Sequence, residues 1–204
     1  MKKFNEYIGS QFGNPRGIIG EICCIVMNII NRAMYRSVVA NIHLSNTSRV
    51  LDIGYGNGYV IKMLYKKFKP DIFGIDISED MKIAATKRNY KAINDKKLTL
   101  DIGDCCDLNF EDNFFEAITS VNTIYFWQDT EKGLSEIYRV LKKGGTFYNA
   151  VYSKEWLQKT SYTKKGFKLF SKEELVLLGK NTGFSDVTVK EVVNGKSYIV
   201  EYKK

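Results

Sequence analysis

The chain has 204 residues, 44% of them hydrophobic and 13% aromatic, with 31 lysines and arginines against 23 acids for a formal charge of +8. That size and apolar content suit one core and exclude a disordered chain, and no apolar run approaches the ~20 residues of a membrane span, so an integral membrane protein is not expected. The lysines are spread over outer faces and turns rather than gathered in one stripe, which argues for a solvated face and against a nucleic-acid partner, and the short Ser153 to Phe170 connection, all that is available for a substrate lid, favours a small-molecule one.

Residues 1–16 are polar and irregular, and the start lacks the apolar core and cleavage site of a secretory leader. The four cysteines form two adjacent pairs, Cys23-Cys24 and Cys105-Cys106, without the spacing of a zinc or redox motif. Free thiols in a reducing cytoplasm are expected, with the members of each pair projecting apart and no metal site. From Gly17 to about Ile42, apolar residues recur at helical spacing through Ile18, Ile22, Val26, Ile29 and Ala33, interrupted by Asn28, Asn31, Arg32 and Arg36. This predicts one or two amphipathic helices in an extension over residues 1–45, ahead of a core domain over 46–204. Such a segment can pack on a sheet edge, cover a site or lie on a membrane surface. The single histidine, His43, falls outside every motif and reads as a surface or packing residue.

A first strand, Arg49 to Ile53, runs into Asp52-Ile53-Gly54-Tyr55-Gly56-Asn57-Gly58 and then a helix from Tyr59 to Phe68. Alternating glycines permit positive φ and close approach of a ligand to bare backbone, and the helix behind them points free N–H groups at it. The spacing is G-x-G-x-G, with Tyr59 where a dinucleotide fingerprint would carry its third glycine. A second strand, Ile72 to Asp76, ends in a carboxylate about 20 residues beyond the glycines, where ribose hydroxyls are held. Ser78 is placed to cap the next helix, which should run towards Tyr90 with Met81 one turn in. A third strand, Lys97 to Ile102, leads to Asp104, so three strand ends each carry an aspartate.

The fourth strand, Phe115 to Val121, delivers Asn122-Thr123-Ile124-Tyr125-Phe126-Trp127, a polar and aromatic cluster suited to walling off a reacting group. A helix over Thr130 to Leu141 should stop at Gly144-Gly145, with a fifth strand over Thr146 to Tyr152. Ser171-Lys172-Glu173-Glu174 reads as a capping box opening a helix that ends at Gly183. Phe184 to Val193 and Ser197 to Tyr202 read as a hairpin around Asn194-Gly195.

The D-x-G-x-G-x-G pattern, the aspartates closing strands two and three, and the Arg139-Val140-Leu141-Lys142-Lys143-Gly144-Gly145 stretch resemble the class I S-adenosylmethionine-dependent methyltransferases over residues 49–203. The Phe12-Gly13-Asn14-Pro15-Arg16-Gly17 opening is similar to that of small bacterial members. The resemblance implies an α/β, Rossmann-like three-layer sandwich: a seven-stranded, mostly parallel sheet with a C-terminal antiparallel hairpin, plus the N-terminal helices. It implies S-adenosylmethionine as cofactor and S-adenosylhomocysteine as product. The cofactor residues it points to are Asp52, Gly54, Tyr55, Gly56, Gly58, Asp76, Ile77, Met81, Asp104, Cys105 and Asn122. In this family Met81 would pack on the adenine, Asp104 would meet its amino group and the Cys105 N–H a ring nitrogen. Asn109 stands where many members have proline. Tyr125 and Asn122 are the candidates for orienting the acceptor or taking its proton.

The expected reaction is in-line methyl transfer to a small nucleophile. An RNA or protein acceptor, which the charge permits, and a binding module without turnover are the alternatives.

Overall fold

The computed structural model describes residues 17–163 and 165–204, so the Phe12 to Arg16 opening lies outside the described residues. Seven strands form one sheet in the order β3-β2-β1-β4-β5-β7-β6. Strands β1 (Arg49–Ile53), β2 (Asp71–Asp76), β3 (Leu98–Ile102), β4 (Phe115–Val121) and β5 (Leu141–Tyr152) are parallel. Strands β6 (Asp186–Val193) and β7 (Ser197–Lys203) form the antiparallel hairpin, with β7 inserted between β5 and β6. Both faces of the central strands are covered, so β1 and β4 are buried almost end to end rather than at alternate positions. This is the expected fold.

The helices are α1 (Gly17–Ile30), α2 (Arg32–Asn41), α3 (Tyr59–Phe68), α4 (Glu79–Arg88), α5 (Tyr90–Asn94), α6 (Thr130–Val140), α7 (Lys154–Gln158) and α8 (Lys172–Thr182). One side of the sheet buries Leu51, Phe115, Ile118 and Phe147 against Leu134 and Ile137 of α6 and Leu175 of α8. The other buries Val50, Ile72 and Ala117 against Val60, Ile61 and Leu64 of α3 and Met34, Val38 and Val39 of α2. Helix α2 is thus a working part of that second layer; Ile42, just past its end, is 1% exposed. His43 is exposed.

Some boundaries differ from the sequence reading, three of them for reasons visible in the packing. Helix α6 ends at Val140, because fully buried Leu141 turns extended and pairs with Phe115; Gly144, at φ +78, instead serves a register shift within β5. The helix after β2 stops at Arg88, where the Asn89 side chain bonds the carbonyls of Ala85 (2.9 Å) and Gly58 (3.0 Å), and α5 begins afresh. The hairpin strand starts at Asp186, since Phe184 turns into the core beneath Tyr202. The Ser171 capping box, the left-handed Gly183 and the Ser78 cap, which accepts from the Met81 N–H, are as expected.

Candidate functional site

A cavity of about 660 Å³ opens at the C-terminal ends of β1, β2 and β4, the rim where open parallel sheets bind ligands. Asp52, Asp76 and Asp104 all face it, together with Gly54, Tyr55, Gly56, Ile77, Met81, Cys105, Asn122 and Tyr125. Of the residues singled out in the sequence, Gly58 is the one the structure leaves outside. At φ +72 it caps α3, and a Cβ there would meet the Asn89 amide at 2.3 Å. Its requirement for glycine is one of packing.

The glycine loop and the second aspartate form one unit. The Gly54 N–H donates to the Ile75 carbonyl (2.8 Å), and the Gly56 N–H donates to Asp76 Oδ2 (2.8 Å). The other oxygen of Asp76 accepts from the Ser78 N–H at 3.0 Å. The Ile77 N–H also bonds this carboxylate, which leaves the fixed Asp76 lone-pair capacity for a ligand hydroxyl. A Cβ on Gly54 would strike Thr123 Cγ2 at 2.3 Å, whereas nothing lies within 4 Å of one built on Gly56. The bare backbone at Gly56 therefore faces open space.

Asp52 is buried at the end of β1, and Thr119 Oγ1 donates to its Oδ1 (2.7 Å). Burial is the main cause that lifts its pKa to about 7, with the Thr119 bond pulling down and the Asp76 charge pushing up. Burial also raises the pKa of Asp76, against the opposing pull of its N–H partners. The cavity thus holds two carboxylates, each costly to ionise, and a bound cation would relieve both.

Asn122 follows β4 at φ +59, a left-handed conformation that asparagine tolerates. Its Oδ1 accepts from the Tyr125 hydroxyl (3.2 Å), while its buried Nδ2 has no partner. Tyr125 is held on both sides, since its hydroxyl also accepts from the Tyr152 N–H at 2.6 Å. Burial pushes its ionisation far above the ordinary tyrosine value. These bonds tie the Tyr125 hydroxyl to Asn122 and to the end of β5.

Cys105 and Cys106 do not diverge as expected: their sulfurs and a carboxylate oxygen of Asp104 lie within 4.8 Å of one another. The cause is a tight turn in which the Cys106 N–H donates to Asp104 Oδ1 (2.9 Å), with the Cys106 thiol on the Asp129 carbonyl (3.2 Å). Burial, with the Asp104 charge beside it, pushes the Cys105 thiol up and keeps it protonated.

Several lining residues had no signal of their own in the sequence. Asn31, at the break between α1 and α2, accepts from the Tyr152 hydroxyl (2.7 Å) and ties the N-terminal helices to the end of β5. Tyr35, Tyr59, Tyr162 and Phe167 add to an aromatic wall with Phe126, whose ring lies edge-on to Phe167 at 4.7 Å. Lys196 reaches the rim because β7 pairs with β5, opposing Ser197 to Tyr152. Only the long-range register could have revealed it.

A family model described as a methyltransferase domain matches residues 51–149. Over 144 residues the chain is 31% identical to a demethylmenaquinone methyltransferase of Bacteroides fragilis, covering 70% of this chain and 59% of that protein. The chain therefore spans about six tenths of that relative's length. A phosphoethanolamine N-methyltransferase 2 of Haemonchus contortus, solved with phosphomonomethylethanolamine and S-adenosylhomocysteine, is 28% identical with a TM-score of 0.67 over 78% of this chain and 38% of that one. An S-adenosylmethionine-dependent methyltransferase from Aquifex aeolicus shares the fold at 23% identity, with a TM-score of 0.69 over 82% of this chain and 88% of that one.

Proposed function

The chain belongs to the class I S-adenosylmethionine-dependent methyltransferases, and on that premise we propose that it transfers a methyl group from S-adenosylmethionine to a small-molecule nucleophile. The observation that carries this reading is the convergence of Asp52, Asp76 and Asp104 with the bare backbone of Gly56 on one cavity. Those residues fit the cofactor. Asp76 keeps lone-pair capacity for a ribose hydroxyl, Gly56 leaves room for close approach, and Asn122 Nδ2 is a buried donor awaiting an acceptor.

When bound, the cofactor supplies a methyl already activated by a positive sulfur. The chain's own task is then to position and to exclude water. In our reading Asp76 takes the ribose hydroxyls, and Met81 packs on the adenine beside Ile77. The Asp104 to Cys105 turn meets the base edge, and Asp52 with Asp76 sets a negative field that favours a cation. Asn122 Nδ2 donates to the cofactor or the acceptor near the reacting end, oriented by Tyr125. The rings of Phe126, Trp127 and Phe167 keep water away. With Tyr125 locked as a hydrogen-bonding scaffold, an acceptor with a free lone pair, such as an amine or a thiolate, suits the site best. The N-terminal helices α1 and α2 we read as the cap of this cavity, through Asn31 and Tyr35. Relatives named for quinone and phosphoethanolamine acceptors support a small molecule over a macromolecule.

The test begins with the melting temperature. S-adenosylmethionine and S-adenosylhomocysteine should raise it, by the equivalent of about 2.7 kcal/mol at a hundred times Kd, and Asp76→Ala should abolish most of the rise. A rise with a nicotinamide dinucleotide and none with either methyl-donor species would overturn the reading. Turnover is then sought with labelled donor over amines, thiols and phenols. A donor-bound protein that methylates only RNA, with affinity falling steeply in salt, would move the acceptor to the nucleic-acid class.

A further inference from the structure

Helix α1 is oriented the wrong way for a helix that faces water. Ile25, Val26, Ile29 and Ile30 are 56%, 46%, 72% and 54% exposed. At about 100° per residue these four positions fall on one arc of the helix. Met27 and Asn28, on the opposite arc, line the cavity, as does Asn31 just beyond. An amphipathic helix on a globular protein turns its apolar stripe inward; here Asn28 and Asn31 look in, Ile25, Val26 and Ile29 look out, and Ile30 stands at the mouth between them. Residues 22–31 carry no charged side chain, and exposed Arg32 and Arg36 follow at once.

The same rim carries a second group of the same character. Trp156 is 37% exposed, Lys196 Nζ sits 4.5 Å over its ring, and both line the cavity with Ile30. A half-exposed tryptophan and a lysine with an apolar stem are side chains that sit well where hydrocarbon meets headgroups. The chain's charge of +8 complements anionic lipid. Among the described residues no helix is long and apolar enough to cross a membrane, so the contact would be interfacial.

We propose that the cavity mouth docks on the surface of an anionic bilayer, with the Ile25, Val26, Ile29 face of α1 lying among the headgroups and Trp156 and Lys196 at the edge of the contact. The arrangement opens the cavity towards molecules dissolved in lipid. It does not depend on the methyl-transfer reading, because docking is measured without donor or acceptor.

The experiment is co-sedimentation of the full chain with vesicles of mixed phosphatidylglycerol and phosphatidylcholine, against phosphatidylcholine alone. Partition into the anionic vesicles is expected, weakening with salt and falling at least tenfold in Ile25→Glu/Ile29→Glu. That double variant should keep the parent's circular dichroism spectrum and cooperative melting, which shows that its fold is intact. In the unaltered protein, brominated lipid should quench tryptophan fluorescence, and Trp156→Phe should lose the quenching. Absence of partition, equal partition of the double variant, or a dimer in light scattering that the double variant dissolves would each overturn the proposal, the last by assigning the face to a second copy. Should the double variant fail to fold, unquenched Trp156 in the unaltered protein overturns it alone.

Discussion

The carboxylate of Asp76 is held by the backbone N–H of Gly56, at 2.8 Å, so the end of β2 and the turn after β1 are one structure. With Ser78 N–H on the other oxygen, Asp76 is fixed before any ligand arrives. Asp76→Asn must place an NH₂ against one of those two donors. The hydrogen bonds at risk are charge-assisted and worth about 1.5–3 kcal/mol each. Affinity for S-adenosylhomocysteine, measured by calorimetry, should fall roughly ten- to hundredfold.

Two glycines of the same turn should separate under substitution. Gly54→Ala meets Thr123 at 2.3 Å and carries the penalty of φ +66. It should cost about 2 kcal/mol or more, roughly 5 °C in a chain of this size, with part recovered in a Gly54→Ala/Thr123→Ser background that removes Cγ2. Gly56→Ala has the φ penalty alone, because its Cβ would enter open space. It should melt within a few degrees of the parent and yet lose most of its cofactor affinity, since that open space is where the ligand goes.

The order of these effects explains how much of the molecule the sequence made legible. Strand ends, the glycine turn and the hairpin are local signals, and Asp52, Asp76, Asp104 and Asn122 could be placed from them. Gly58 carries the same local signal as Gly56, but its need for glycine comes from Asn89, 31 residues away. Lys196, Tyr152 and Asn31 reach the cavity through strand register and helix packing, which no short window of sequence contains. The start of β5 differs for the same reason: Gly144-Gly145 looks like a break before a strand at Thr146, but Leu141, buried and paired with Phe115, is already extended.

Asp52 predicts a pH dependence with a definite sign. Its folded pKa of about 7 lies above the ordinary carboxylate value, so the unfolded chain loses this proton first as pH rises. Stability should therefore decline between about pH 4 and pH 7 and level off above. At 1.36 kcal/mol per unit the contribution is roughly 4 kcal/mol at most. Asp52→Asn, which keeps an acceptor for Thr119 Oγ1, should flatten the decline in denaturant titrations and raise the melting temperature at pH 8. A cationic ligand favours the ionised carboxylate. Affinity for S-adenosylmethionine should thus rise from pH 6 to pH 8 more than that for S-adenosylhomocysteine, and Asp52→Asn should remove the difference.

Asn122 and Tyr125 can be told apart by what each leaves behind. Asn122→Gly keeps the left-handed backbone that φ +59 demands and deletes only the amide. Its melting temperature should stay close to the parent value while kcat/KM drops at least tenfold, because Nδ2 is the group held ready in the cavity. Tyr125→Phe strips the Tyr152 N–H of its partner and frees Asn122 to rotate. It should lose about 1–3 kcal/mol of stability and part of its kcat, with the shape of the pH–rate profile unchanged. If Tyr125 were instead the proton acceptor, the phenylalanine variant would abolish the rise of rate with pH, and rates would recover with small exogenous bases.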